Sequence, residues 1–433
     1  MKSTANNTHC SSLLRGSSLI FKLRRTGLIL TVAALLCDLL GVSLAKAQSI
    51  DDPSALAIFS NKDGALPYAG LVAYNGNLYG TTVSGGANGA GEIFKISPTG
   101  GNPATLWSFN GSSKDGAYPY GTLIQLNGKL YGTTSAGGAY GCGTVFQFTP
   151  AANNGGEGTV VIMHSFRVSD GNYPIAGLTK GADGFLYGTT LQGGTQNRGT
   201  MFKISPTSPY PLTLLYSFCS QTNCTDGSFP YAGVMQHTNG NFYGTTRSGG
   251  ENGLDTIFQY TPGKSGNVGT LAKVHDFLDT EGTSPYAGLV QTSTGSLYGT
   301  TTTGGIHNGQ LNGNGTIFEF TPNDRNLTIA HVFAPQSTEG AYPFGTLVVY
   351  NGNIYGTTQN GGTHGYGTVF ELLPSLGDTF TTVVNFDGNI GEGDSIVGAL
   401  PVAGLLRYNG VFYGTTYRGG PSNVGTVFKI VSN

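Results

Sequence analysis

Hydrophobic residues in this chain come in short bursts divided by glycine-rich polar stretches, without the three-and-four spacing of an amphipathic helix. From Gly121 the order is GTLIQL, then Asn127-Gly128, then KLYGTTS, then GGAYGCG, then TVFQFT from Thr144. After Pro150 and a polar connection comes TVVIMHSF, and a loop with Asp170-Gly171 and Pro174 opens the next unit. Asn-Gly between two apolar runs is a two-residue hairpin signal. Pro150 ends its strand because proline cannot donate to a ladder. The pattern predicts four short strands per unit.

The unit repeats. The tyrosine of YGTT falls at Tyr79, Tyr131, Tyr187, Tyr243, Tyr298, Tyr355 and Tyr413, in steps of 52 to 58 residues. Four strands in about 50 residues suits a β-propeller blade. The predicted fold is all-β, a seven-bladed propeller with four antiparallel strands per blade. An orphan strand at Leu56 to Phe59 precedes the first unit, and the last unit stops after its third strand, Thr426 to Val431. Pairing the two closes the ring and removes an open edge. The inner strands carry thin residues, YAGL and YGTT, where blades converge. Phenylalanines recur on the outer two strands, from Phe94 to Phe428 on the third and from Phe59 to Phe386 on the fourth.

Composition agrees with a folded, turn-rich chain. There are 71 Gly in 433 residues and only 10% charged side chains, yet 11% aromatics, too many for a disordered low-complexity segment. Glycine without a three-residue period excludes collagen. The phrase YGTT-x-x-GG followed by GTVF and a proline resembles the tandem repeat of the "choice-of-anchor tandem repeat GloVer-containing" family, named for Gloeobacter and Verrucomicrobia. The resemblance spans seven copies, residues 48–433. It implies an exported, propeller-like protein and no particular reaction. Members often carry a C-terminal surface anchor, whereas this sequence stops at Asn433 just after its last strand, so a free secreted protein, extracellular or periplasmic, is expected.

Residues 1–47 differ from the rest. Lys22, Arg24 and Arg25 precede an apolar run from Gly27 to Ala45, and Ala45-Lys46-Ala47 follows, the order of a secretory signal. A signal peptide over 1–47 is expected; an uncleaved anchor is the alternative, since the run is just long enough to span. The remaining chain holds 15 basic and 22 acidic residues, a formal charge of −7, which disfavours nucleic acid and anionic membranes. A monomer with no cofactor, no metal and no membrane contact beyond the signal segment is expected. CSQTNC spaces Cys219 and Cys224 to close a small disulfide loop, which export permits; two free thiols are the alternative. Cys142 is left unpaired.

Candidate chemistry sits on the face where fourth strands lead into the next blade. Asp63, Asp115, Asp170, Asp226, Glu281 and Glu339 recur there, with Val397 as the exception. One acid per blade reads as a turn-fixing acceptor in preference to a ring of metal ligands. Tyr68, Tyr120, Tyr231, Tyr286 and Phe344 follow the proline and suit either stacking on a sugar ring or packing between blades. Departures from the repeat are more telling. The longer loop GGIHNGQLNGNG carries His307, the next unit's loop carries His364 and Tyr366, and Arg198, Arg247 and Arg418 appear once each. His307, His364, Tyr366 and Arg247 are the catalytic candidates, against isolated surface histidines as the bland reading. The loop DGNIGEGDS, with Asp387, Asn389, Glu392 and Asp394, lacks the ligand spacing of an EF-hand. His164, His275 and His331 share a fourth-strand position with Trp107 and Tyr216, which reads as outer-blade packing. Nucleophile-elbow, zincin, P-loop and Rossmann motifs are missing from any fitting context. The expected function is a non-enzymatic binding module for carbohydrate, peptide or protein at the loop-rich channel face. A polysaccharide lyase or hydrolase is the alternative.

Overall fold

Blade one is built from Val72–Tyr74, Asn77–Thr82, Glu92–Ile96 and Ala104–Ser108, hydrogen-bonded in that order. The computed structural model describes residues 53–152, 156–264, 267–335, 338–388 and 398–431. Blades two to six repeat the order, and the fold is a seven-bladed propeller of antiparallel four-stranded sheets. Blade seven takes Leu406–Tyr408, Val411–Thr416 and Thr426–Val431 from one end of the chain and Ser54–Ile58 from the other. Ala55 pairs with Phe428 and Ile58 with Thr426, so the expected closure forms. The hairpins at Asn75, Asn127, Asn351 and Asn409 hold the asparagine at φ 47 to 51° with a left-handed glycine after it, the double left-handed geometry that matches strand twist.

Each letter of YGTT has a separate job. A Cβ on Gly132 would lie 2.7 Å from the Phe146 ring and 2.8 Å from Leu123, so the second strand must be bare where the third-strand ring crosses it. The first threonine reaches the next blade. Thr133 donates to Ala176 O at 2.8 Å, Thr189 to Ala232 O at 2.9 Å, and Thr357 to Ala403 O at 2.9 Å. Each blade's first threonine bonds the turn entering the next blade, at the alanine carbonyl in four blades and at the proline carbonyl in three. The second threonine pairs within its blade, as Thr134 with Thr144 at 2.7 Å. Five further blades share that pair. In blade one Glu92 replaces the partner, and Thr82 Oγ1 is buried without one.

Phenylalanine pairs hold neighbouring blades together further out. Phe59 meets Phe94 edge-on at 4.9 Å, Phe109 meets Phe146 at 5.3 Å, and the pattern runs on to Phe386 and Phe428 at 5.1 Å. In each pair the ring following a fourth strand packs on the third strand of the next blade. Among the described residues the apolar core forms seven clusters, each shared across a blade boundary.

Candidate functional site at the channel mouth

The turns entering blades two to five are built around their acids. Asp115 accepts the Asn110 N–H at 3.0 Å, Asp170 the Arg167 N–H at 2.8 Å, Asp226 the Ser220 N–H at 2.8 Å, and Glu281 the Leu278 N–H at 3.0 Å. The fourth-strand position supplies a second partner. Trp107 donates to Asp115 at 3.4 Å, Tyr216 to Asp226 at 2.6 Å, and His164 and His275 lie 3.1 and 2.9 Å from Asp170 and Glu281. Burial pushes the Asp170 carboxyl up, but the His164 bond and the Arg167 N–H outweigh it and hold it below its ordinary range. These acids are occupied in shaping loops. Among the described residues no group of three His, Cys, Asp or Glu is placed to hold a metal.

The turn then forces a strained residue. Leu66, Tyr118, Tyr173, Phe229, Ser284, Tyr342 and Leu400 all have φ between 56 and 59°, and each precedes a proline. Left-handed backbone is costly for these side chains. It is held by an N–H bond to the preceding blade, as from Tyr118 to Ala90 O at 2.9 Å and from Phe229 to Arg198 O at 2.7 Å. The kink aims the residue after the proline at the axis.

Tyr68, Tyr120, Tyr231, Tyr286, Phe344, Ile175 and Val402 consequently converge around a cavity of about 320 Å³. Tyr68 Oη and Tyr231 Oη lie 3.2 Å apart although they come from blades one and four. Tyr68 packs edge-on against Tyr120 at 5.3 Å, Tyr231 against Tyr286 at 4.5 Å, and Tyr286 stacks on Phe344 at 4.9 Å. The expected tyrosines therefore come together. Burial pushes the Tyr68, Tyr120 and Tyr231 phenols up, so all stay neutral hydrogen-bonding groups. Below them the wall is Gly, Ala, Thr and aliphatic, with no carboxylate, imidazole, amine or guanidinium.

Cations and one acid lie outside that lining. Arg247 is exposed and sits 5.2 Å over the Tyr286 ring. Arg418 stacks on Tyr417, whose ring meets Tyr68 edge-on at 6.1 Å. Arg198 lies on Phe229 at 4.8 Å. Asp255, which the repeat-based reading passed over, stands where the other units have glycine before the third strand. It is 2% exposed, and its Oδ2 accepts the Ser284 N–H at 2.7 Å, the bond that a backbone carbonyl accepts in other blades. Burial pushes this carboxyl up to about 7, opposed by the Ser284 N–H and Arg247.

The histidine candidates lie elsewhere. His307 sits on a small hairpin of Ile306–His307 and Gln310–Leu311 and acts electrostatically on His331. His364 is exposed and bonded to Thr363 at 3.2 Å, and Tyr366 is 43% exposed. Among the described residues no hydrogen bond or ion pair joins the two histidines, and neither lines the channel cavity. Cys219 and Cys224 are disulfide-bonded in the loop entering blade four, and Cys142 is free. The signal segment 1–47 and Asn389, Glu392, Asp394 and Val397 lie outside the described residues.

The model of the Gloeobacter/Verrucomicrobia repeat matches residues 46–223 and 212–428. No curated protein matches the chain. Among solved structures it is similar to a candidate 6-phosphogluconolactonase from Bacteroides uniformis, at TM-score 0.50 and 14% identity over 83% of this chain and 91% of that one. It is also similar to an ancestral GH74 enzyme, at TM-score 0.55 and 13% identity over 86% of this chain and 48% of that one. The extracellular domain of a candidate one-component system from B. thetaiotaomicron aligns at TM-score 0.55 and 10% identity, over 88% of this chain and 40% of that one. Likeness at such identity carries the fold alone.

Proposed function

The chain belongs to the Gloeobacter/Verrucomicrobia repeat family, and we propose that it is an exported, non-catalytic binding propeller that takes a carbohydrate at its channel mouth. The carrying observation is the convergence of Tyr68, Tyr120, Tyr231 and Tyr286 with Phe344 around one cavity whose other walls are uncharged. Flat rings offer stacking surface and neutral phenols exchange hydrogen bonds with hydroxyls, the pairing a sugar requires. Arg247 and Arg418, stacked on the aromatic rim, add donors at the entrance. The lyase or hydrolase reading draws no support from the lining, which holds no carboxylate or imidazole for proton transfer. Export rests on the signal pattern of residues 1–47; the mature N-terminus is expected at Gln48.

A glycan array with the purified protein tests this reading, followed by calorimetry on the best ligand. Tyr231→Ala and Tyr286→Ala are expected to weaken binding at least about tenfold, or about 1.4 kcal/mol each. Retention of an array by both variants, or binding to no glycan at all, overturns it.

A further inference from the structure

Blade one breaks the repeat twice on its outer half. Glu92 stands where the other units have Thr144, Thr200, Thr256, Thr316, Thr368 and Thr426, and Trp107, the chain's one tryptophan, stands where four of them have His164, Tyr216, His275 and His331 and the other two have Val384 and Ala57. The two departures are neighbours, because Glu92 and Ile93 pair with Ser108 and Trp107. They face one cavity of about 540 Å³ on the outer side of the blade, walled also by Lys62, Thr105, Asn110 and Glu157. That volume lies within the roughly 300–1,000 Å³ of small-molecule sites. The substitution carries a structural cost: Thr82 loses the threonine partner found in six other blades, and its hydroxyl is buried without one. Glu92 gains the Thr105 hydroxyl but leaves Thr82 unpaired, and a place where a repeat breaks its own rule is expected to be functional or strained.

We propose that this cavity is a second ligand site, separate from the channel mouth, that binds a short neutral oligosaccharide with one pyranose ring stacked on Trp107. The indole N–H is already committed to Asp115 at 3.4 Å and the ring packs on the neighbouring apolar cluster, which fixes it and leaves its uncovered side for apolar contact. The C–H face of a pyranose meets such a surface, and its hydroxyls need alternating donors and acceptors at the edge. Thr105, Asn110, Lys62 and Glu157 supply these from the wall, with Glu92 set behind Thr105. Glu92 is 1% exposed, and its Oε2 accepts the Thr105 hydroxyl at 3.1 Å. Burial, with Asp63 adding to it, pushes the carboxyl above the ordinary glutamate range, so it keeps its proton further up the pH scale. Lys62 and Glu157 offset one another in charge, and Asn110 adds an amide, a lining that suits an uncharged polyhydroxyl ligand.

The single tryptophan makes the test direct, since indole emission from the full-length protein reports this cavity alone. The titrants are cellotriose, maltotriose, xylotriose and laminaritriose. At least one is expected to give a saturable emission change at or below millimolar concentration. Glu92→Thr restores the residue of the other blades and is expected to fold normally, while its apparent Kd for that sugar rises at least tenfold. Trp107→His, followed by calorimetry, is expected to lose the binding, and Tyr231→Ala is expected to leave the titration unchanged. A flat emission curve with all four sugars overturns the proposal. So does a titration that Glu92→Thr leaves intact or one that Tyr231→Ala abolishes.

Discussion

Thr415 Oγ1 donates to Ala69 O at 2.9 Å, joining blade seven to blade one across 346 residues of chain. The bond matches Thr189 to Ala232 at 2.9 Å inside the ring. The seam is therefore built to the same pattern as three of the internal boundaries, the other three using the proline carbonyl. Thr415→Val and Thr189→Val each leave a buried carbonyl without its donor and are expected to cost about 1–3 kcal/mol. Equilibrium urea unfolding measures both, and a seam variant much milder than the internal one would show that closure adds little.

Gly132→Ala is expected to destabilise by about 1–3 kcal/mol, since its Cβ would lie 2.7 Å from the ring of a fully buried Phe146. Gly288→Ala, whose Cβ meets nothing nearer than 3.3 Å, is expected to cost less. Denaturation midpoints compared in one buffer decide it.

Asp255 predicts a pH dependence. Its carboxyl rises from 3.8 to about 7 on folding, so between those values the native state holds a proton that the unfolded chain has released. Stability from this group is full below about 4 and falls as pH rises to about 7. Asp255→Asn keeps an acceptor for the Ser284 N–H and removes the titration. Unfolding free energies across that range are expected to fall less steeply with pH in the variant than in the parent.

His331 gives the opposite slope. Burial, with His307 adding to it, pushes the imidazole down from 6.5 to about 4. The unfolded chain binds the proton first, so this contribution is present above about 6.5 and lost as pH falls toward 4. The ring stacks on Phe380 at 3.8 Å and lies 3.4 Å from Glu339. His331→Phe keeps the stacking and is expected to flatten the acid limb of the stability curve. His307→Gln is expected to raise the His331 midpoint in an NMR titration.

Strand positions were legible where local chemistry marks both ends. Blade two runs Lys129–Thr134 and Thr144–Thr149, almost as Asn127-Gly128, the glycine cluster and Pro150 dictate. The Phe59–Phe94 contact was not legible as a pair, because the fourth-strand ring belongs with the next blade and only ring closure shows it. Tyr68 and Tyr231, 163 residues apart, meet for the same reason. Asp255 was available as a signal: six units place a glycine with φ of 89 to 108° there, and only one writes DTIF. His307 lies on a hairpin formed by the extra residues of its loop and is not in the channel lining, a placement that loop length alone does not reveal.

The pairing of Ser54–Ile58 with Thr426–Val431 also sets an order of events. The earliest strand of the propeller waits for the latest. As the chain emerges in vectorial fashion, six blades can complete themselves from contiguous segments, but the seventh cannot form until synthesis has passed Val431. Until then Ser54–Ile58 stays an unpaired strand and the growing arc exposes an apolar blade face at each end, which calls for protection during any passage across a membrane.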